Sequence, residues 1–194
     1  ARSMSNAKEV KGAQPLNNGL PGVATFNSGD GVSLFNTAHT TISGTNVSNT
    51  LTTQADLNET SLEAALIDIA AFTDERGLRI AAKGVKMIIP SANQFNAERL
   101  MKSQGRPGTA DNDINAINSM GMIPQGYRVN NFLTDADSWY IITDVPNGMK
   151  MFQRTPLTTS MEGDFDTGNV RYKARERYVF GVSDYRGIFG CEGA

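Results

Sequence analysis

Near the C-terminal end, Val170-Arg-Tyr-Lys-Ala-Arg-Glu-Arg-Tyr-Val-Phe180 alternates charged with apolar or aromatic residues. In an extended strand successive side chains point to opposite faces. Arg171, Lys173, Arg175 and Arg177 therefore line one face, and Val170, Tyr172, Ala174, Tyr178 and Phe180 line the other, joined by Glu176. This pattern predicts the longest strand of the chain, Asn169 to Val182. Four cations on one strand face repel one another unless water, the carboxylates of a neighbouring chain, or nucleic-acid phosphates offset them. Base stacking gains little here, because Tyr172 and Tyr178 face away from the cations.

The rest of the composition narrows the function classes. A chain of 194 residues can bury a real core and fits one domain, or one body with an extension. Lys and Arg number 18 against 20 Asp and Glu, giving a net charge of −2. That balance argues against a globally basic nucleic-acid binder and against an acidic tail. Asn, Thr and Ser contribute 17, 17 and 13 residues and Gly 19, a content that favours turns, caps and edges over long helices. The only cysteine, Cys191, cannot form an internal disulfide or a multi-thiolate metal site, and the only histidine is His39. No apolar run is long enough for a membrane span, and Ala1 to Val10 lacks the apolar core of a signal peptide. The composition leans away from an enzyme.

Along the chain, Ala1 to Gly12 reads as the end of a helix already under way, which suggests a partial or processed chain. Leu16 to Asn49 reads as turns and brief strands. Asn58 is an N-cap candidate, with Leu57 and Leu62 placed as a hydrophobic staple, for a helix over about 59–74 with Gly77 beyond its end. Val85 to Ile89, closed by Pro90, reads as a buried strand. Ser91 and Gln94 form a capping box for a helix over about 92–103. Gln104 to Asp113 reads as a mobile loop, with Asp111 or Asn112 capping a short helix that Gly121 stops. Tyr127–Leu133 and Ser138–Thr143 read as strands. The turn Pro146-Asn147-Gly148 predicts that Met149–Gln153 folds back on Ser138–Thr143 as a hairpin. One more short strand falls within Tyr185–Gly190. The order helix, strand, helix, hairpins gives a mixed α+β body.

Motifs with chemical meaning are sparse. His39 has no Gly-x-Ser-x-Gly elbow near it in sequence and reads as a hydrogen-bonded structural residue. Asp111-Asn-Asp-Ile-Asn115 imitates the start of a calcium loop. Ala116 then occupies the glycine position, and Met122 stands where a bidentate Glu belongs. The acid pairs Glu59/Glu63 and Asp164/Asp166 read as solvated surface. No catalytic, cofactor or metal site is expected.

Five stretches carry a family resemblance. Gly31–His39, Asn49–Ala65, Lys86–Ser91, Pro107–Asn115 and Asp135–Ile142, followed by the ending Arg175–Gly190, resemble major capsid proteins of tailed bacteriophages, and among them the group that includes the Mu-type major head subunit. The resemblance runs through nearly the whole chain in order. It implies the Hong Kong 97-type capsid fold, an α+β architecture with peripheral and axial domains. Residues 1–34 would hold the end of the spine helix and a connecting segment, 35–154 the axial domain, and 155–194 the return strands of the peripheral domain. The N-terminal arm and extended loop of that fold are absent from this sequence. The implied function is a structural shell subunit that assembles as hexamers and pentamers around double-stranded DNA. Its partners would be copies of itself, packaged DNA touched non-specifically, and scaffolding, portal and decoration proteins. Its place would be the virion, assembled in the host cytoplasm, with no membrane. Candidate intersubunit contacts are Arg171, Lys173, Arg175, Arg177, Arg106, Asp111 and Asp113, with the Gln104–Asp113 loop near a symmetry axis. The competing readings are an encapsulin-type nanocompartment shell and, from another class, a small hydrolase using His39.

Overall fold

The computed structural model describes residues 2–20, 25–106, 113–163, 166 and 168–194. Two parts of different character result: a body built on a four-stranded sheet, and a long two-stranded arm with a helix against it.

Helix α1 (Arg2–Asn18) buries only Ala13, Pro15 and Leu16, all near its C-terminal end. The chain then passes through two short paired strands, β1 (His39–Thr40) and β2 (Asn46–Val47). Helix α2 (Glu59–Ala70) begins where expected. The Asn58 side chain accepts from the Ser61 amide, and the Ser61 hydroxyl accepts from the Asn58 amide, so two otherwise orphaned donors are satisfied reciprocally. Its buried face, Leu62, Ala65, Leu66 and Ile69, follows the helical repeat. The helix ends four residues earlier than expected, with Ala71 as its cap. Gly77 instead takes φ +86° in the turn that brings Thr73 opposite Arg79.

Strand β3 (Gly84–Ile89) is the buried strand anticipated at Val85–Ile89. After Pro90 the chain makes one 3-10 turn, Ser91–Asn93, before helix α3 (Gln94–Lys102). No side-chain cap bond forms there, so the expected Ser91/Gln94 capping box is absent: the 3-10 turn puts Ser91 ahead of the α-helical start. Helix α4 (Ala116–Met120) is capped by Asn115, whose side chain accepts from the Ile117 and Asn118 amides, and Gly121 closes it at φ +60°. Asp111 and Asn112, the caps expected from the sequence, lie outside the described residues. Strand β4 (Tyr127–Val129) covers only the start of the Tyr127–Leu133 stretch, because Asn130 turns the chain by binding the Phe132 amide.

Strand β5 (Trp139–Thr143) lies in the middle of the sheet. The strand order is β4-β3-β5-β8, with β3 parallel to β4 and antiparallel to β5, and β5 antiparallel to β8 (Ile188–Cys191). Trp139, Tyr140, Ile141, Ile188 and Phe189 are wholly buried here and join Leu34, Phe35 and the α2 face in one core. Each such side chain contributes about 1.5–3 kcal/mol by leaving water.

Pro146-Asn147-Gly148 does turn the chain, with Asn147 at φ +68°, but it does not close the predicted hairpin. The segment after it, β6 (Met149–Gly163), runs far past Gln153 and pairs throughout with β7 (Val170–Val182), while β5 takes β8 as its partner. The reason is a close crossing: a Cβ on Gly187 would stand 2.3 Å from the Cα of Gly148, so the two backbones meet where only glycines fit. The chain leaving β5 is thereby steered out into the arm, and the chain returning from it is steered back onto the sheet. Residues 155–194 thus supply the outer part of β6, all of β7 and, in β8, an edge strand of the body sheet.

Candidate functional site

The arm is a ribbon of fifteen and thirteen residues per strand, and most of its side chains are exposed. The register sorts them onto two faces, because residues directly opposite in an antiparallel pair share a face. Thr155 stands opposite Arg177, Thr158 opposite Arg175, Ser160 opposite Lys173 and Glu162 opposite Arg171. This is the cationic face expected from the alternation, now backed by hydroxyls and one carboxylate. All four cations are exposed. The opposite face pairs Met161 with Tyr172, Gln153 with Tyr178 and Met151 with Phe180.

Helix α1 covers the root of that second face. Lys8 Nζ donates to Glu176 Oε1 at 2.8 Å and lies 5.3 Å from the Tyr178 ring centroid, while Gly12 faces the edge of Phe180. The Glu176 side chain is almost completely buried by this contact. Farther out, Met161, Tyr172 and Val170 are uncovered, and Tyr172 is 80% exposed. The sequence placed Glu176 on the aromatic face but gave no sign of Lys8 as its partner, since 168 residues separate them.

The loop candidates fare differently. Arg106 Nε donates to Glu59 Oε2 of the same chain at 2.8 Å, and its backbone amide donates to the Asp113 carbonyl at 2.9 Å. Gly105 and Ile114 bridge beside it, so the two ends of the loop are clasped together. Asp113 is exposed, whereas Asp111 lies outside the described residues. Glu59 is thus an ion-pair partner rather than half of an acid pair. Asn115, the last residue of the calcium-like motif, is buried and donates to the Leu100 and Ser103 carbonyls, a structural duty. No group of three or more metal-ligating side chains comes together among the described residues.

His39 is fully buried in a polar network. Its Nδ1 meets Asp30 Oδ2 at 2.5 Å, and its Nε2 meets the Leu34 carbonyl at 3.2 Å and Asn49 Oδ1 at 3.1 Å. The Asn49 orientation is set by its surroundings. Its Nδ2 donates to the Leu34 carbonyl, and its Oδ1 accepts from the Asn36 amide. Both ring nitrogens therefore face acceptors, and among the described residues no hydroxyl or thiol is bonded to either. The ring stacks on Tyr185 at 3.9 Å, and the Arg186 guanidinium lies 4.5 Å above the same tyrosine. Arg186, itself buried, donates to the Thr73 carbonyl and to Glu75 Oε1, each at 2.7 Å. Burial alone would raise the Asp30 carboxyl, but the hydrogen bond and charge of His39 outweigh it and hold the group below the usual range. The hydrogen bond from Arg186 likewise lowers Glu75. Burial pushes the Tyr185 phenol up to about 12. His39 thus docks the returning chain onto the body, a role that the sequence signalled only as a hydrogen-bonded histidine. Cys191 is buried against Ala55, and burial raises its thiol.

The feature left without a role inside the chain is the long, largely exposed arm. Comparison with protein families places the chain: residues 1–190 match the model described as phage capsid protein, and the chain belongs to that family. A comparison with curated protein sequences finds no match. Among solved structures, the fold resembles a phage-related protein from Bordetella bronchiseptica RB50. Identity there is 11%, 98% of this chain and 61% of that one are covered, and the TM-score is 0.52. The capsid of Myoviridae phage XM1 aligns at 14% identity over 100% of this chain and 64% of that one, with a TM-score of 0.49. A virus-like particle from Pyrococcus furiosus aligns at 11% identity over 80% and 61%, with a TM-score of 0.48. This chain spans less than two thirds of the length of each.

Proposed function

We propose that the chain is part of a major capsid subunit of a tailed phage, with the Hong Kong 97-type fold. Copies would assemble as hexamers and pentamers into an icosahedral head around double-stranded DNA, built in the host cytoplasm and retained in the virion. Family membership over residues 1–190 carries this reading. The exposed arm supports it, because an isolated two-stranded ribbon is at best marginally stable in water and gains order from neighbours. In this reading the sheet body is the axial domain, and α1 with the arm is part of the peripheral domain. The cationic face Arg171–Arg177 and the clasped Gln104–Asp113 loop are intersubunit contacts. Packaged DNA, scaffolding, portal and decoration proteins are further partners.

Electron cryomicroscopy of the full-length protein, with nucleic acid measured on the same sample, tests the proposal. DNA-filled shells of hexamers and pentamers are the expected result. A small discrete oligomer from the full-length protein would overturn it, and shells enclosing a cargo enzyme and no nucleic acid would point to a nanocompartment.

A further inference from the structure

Three of the arm's cations stand without an ion pair inside the chain that carries them. Among the described residues Lys173, Arg175 and Arg177 enter no ion pair, although Glu162, Glu176 and Lys8 all lie on the arm or against it. The body is opposite in sign. From Thr25 to Gly148 the sequence holds thirteen Asp and Glu against eight Lys and Arg. Within it, Asp56, Asp135 and Asp137 gather with Glu192 at one end of the sheet. The Ala194 amide donates to Asp56 Oδ1, the Asp137 amide donates to Asp135 Oδ1, and Gly193 packs against Asp137. The charges of Asp135 and Glu192 both bear on Tyr140, and those of Asp56 and Glu192 both bear on Cys191. None of these four carboxylates has a cation beside it among the described residues.

The sheet separates the two surfaces. Trp139 pairs with Cys191 at the acidic end, and β5 then runs to Thr143 and on to the Gly148–Gly187 crossing, where the arm leaves the body. Among the described residues one chain thus offers three cations without an ion pair, Lys173, Arg175 and Arg177, from one end of its sheet and four such carboxylates at the other. Two different surfaces that complement each other on identical chains make a heterologous, head-to-tail contact, the kind that propagates or closes into rings.

We infer that the Lys173–Arg175–Arg177 face of one copy seats on the Asp56, Asp135, Asp137 and Glu192 surface of a second copy. This rests on the capsid reading and names the contact it uses. Each ion pair made across the contact fixes register, while a like-charged approach is repelled.

Charge exchange in the full-length protein tests the inference, with shell yield and pelleted nucleic acid as readouts and the tryptophan emission and circular dichroism of unassembled protein as fold controls. R175E/R177E lowers shell yield about tenfold or more, and D137K/E192K does the same. The four-fold variant that exchanges the signs recovers to within about threefold of the parent. A reversal that leaves yield unchanged overturns the inference, and so does a four-fold variant that assembles no better than the worse double variant. Unchanged yield with nucleic acid lost assigns the cations to a phosphate surface instead and also overturns it. Failure of the parent to form shells would reject the capsid reading itself, an outcome distinct from all of these.

Discussion

Body and arm obey different rules although one chain builds both. The body closes over Trp139, Tyr140, Phe35 and Phe189, none of which retains measurable exposure, and even its polar residues His39, Asn49 and Arg186 are buried with partners. The arm keeps Tyr172, Met161, Phe152 and Val179 more than half exposed and holds its shape by ladder hydrogen bonds and the Lys8–Glu176 contact at its root. A core whose burial is complete within one chain stabilises that chain alone. A ribbon exposed on both faces is specified by its own alternation but stabilised by what comes to lie on it. Pattern and stability are thus separable, and in this molecule they are separated by region.

The sharpest break of that contrast compares equal kinds of truncation. Phe189→Ala in the unassembled protein costs about 3–5 kcal/mol in urea unfolding followed through Trp139, whereas Met161→Ala costs under about 0.5 kcal/mol. Similar costs at the two sites would show the arm to be packed within its own chain. Next, Gly187→Ala forces backbone apart at the crossing and costs about 1–3 kcal/mol, with hydrogen exchange rising in β8 and at the arm root together. Exchange rising in only one of them would uncouple the two regions there.

Asn49→Ala removes donors to the Leu34, Tyr185 and Ile188 carbonyls inside the body and costs about 1–3 kcal/mol, read by the same unfolding experiment. Acid acts on the same network. Asp30 and Glu75 have lowered folded-state pKa values, so their contribution is present above the unfolded carboxylate range and is lost as pH falls through the folded values. Stability of the Asp30→Asn variant should therefore depend less steeply on pH below about 4 than that of the parent. Equal slopes would remove Asp30 from the account. Smallest is Glu98→Gln, which breaks the exposed pair with Lys102 and leaves the urea midpoint close to that of the parent.

What the sequence revealed follows the range of the interactions involved. The Asn58 cap, the α2 stripe and the period-two face of β7 are set by residues within a few positions of one another, and all were legible. The partner of β5 was not, because Pro146-Asn147-Gly148 announces a turn without saying which strands it joins. The length of β6 was hidden because Pro156 and the irregular register between Gln153 and Thr158 interrupt its alternation. The cationic face was readable as a pattern, while its seat on α1 through Lys8 and the docking of Tyr185 and Arg186 around His39 join residues more than a hundred positions apart and leave no local trace.

The position of β8 bears on the order of events during synthesis. Ile188, Phe189 and Cys191 complete the sheet, yet the ribosome makes them only after both strands of the arm. Until then the nascent body lacks one of its four strands, with the edge of β5 and the apolar surface around Trp139 uncovered. Long-range pairings of this kind are made late and leave such surface open to unwanted association. The two strands of the arm are made consecutively and pair with each other, so their pairing can begin while the body is still waiting to close, although a ribbon alone stays marginal.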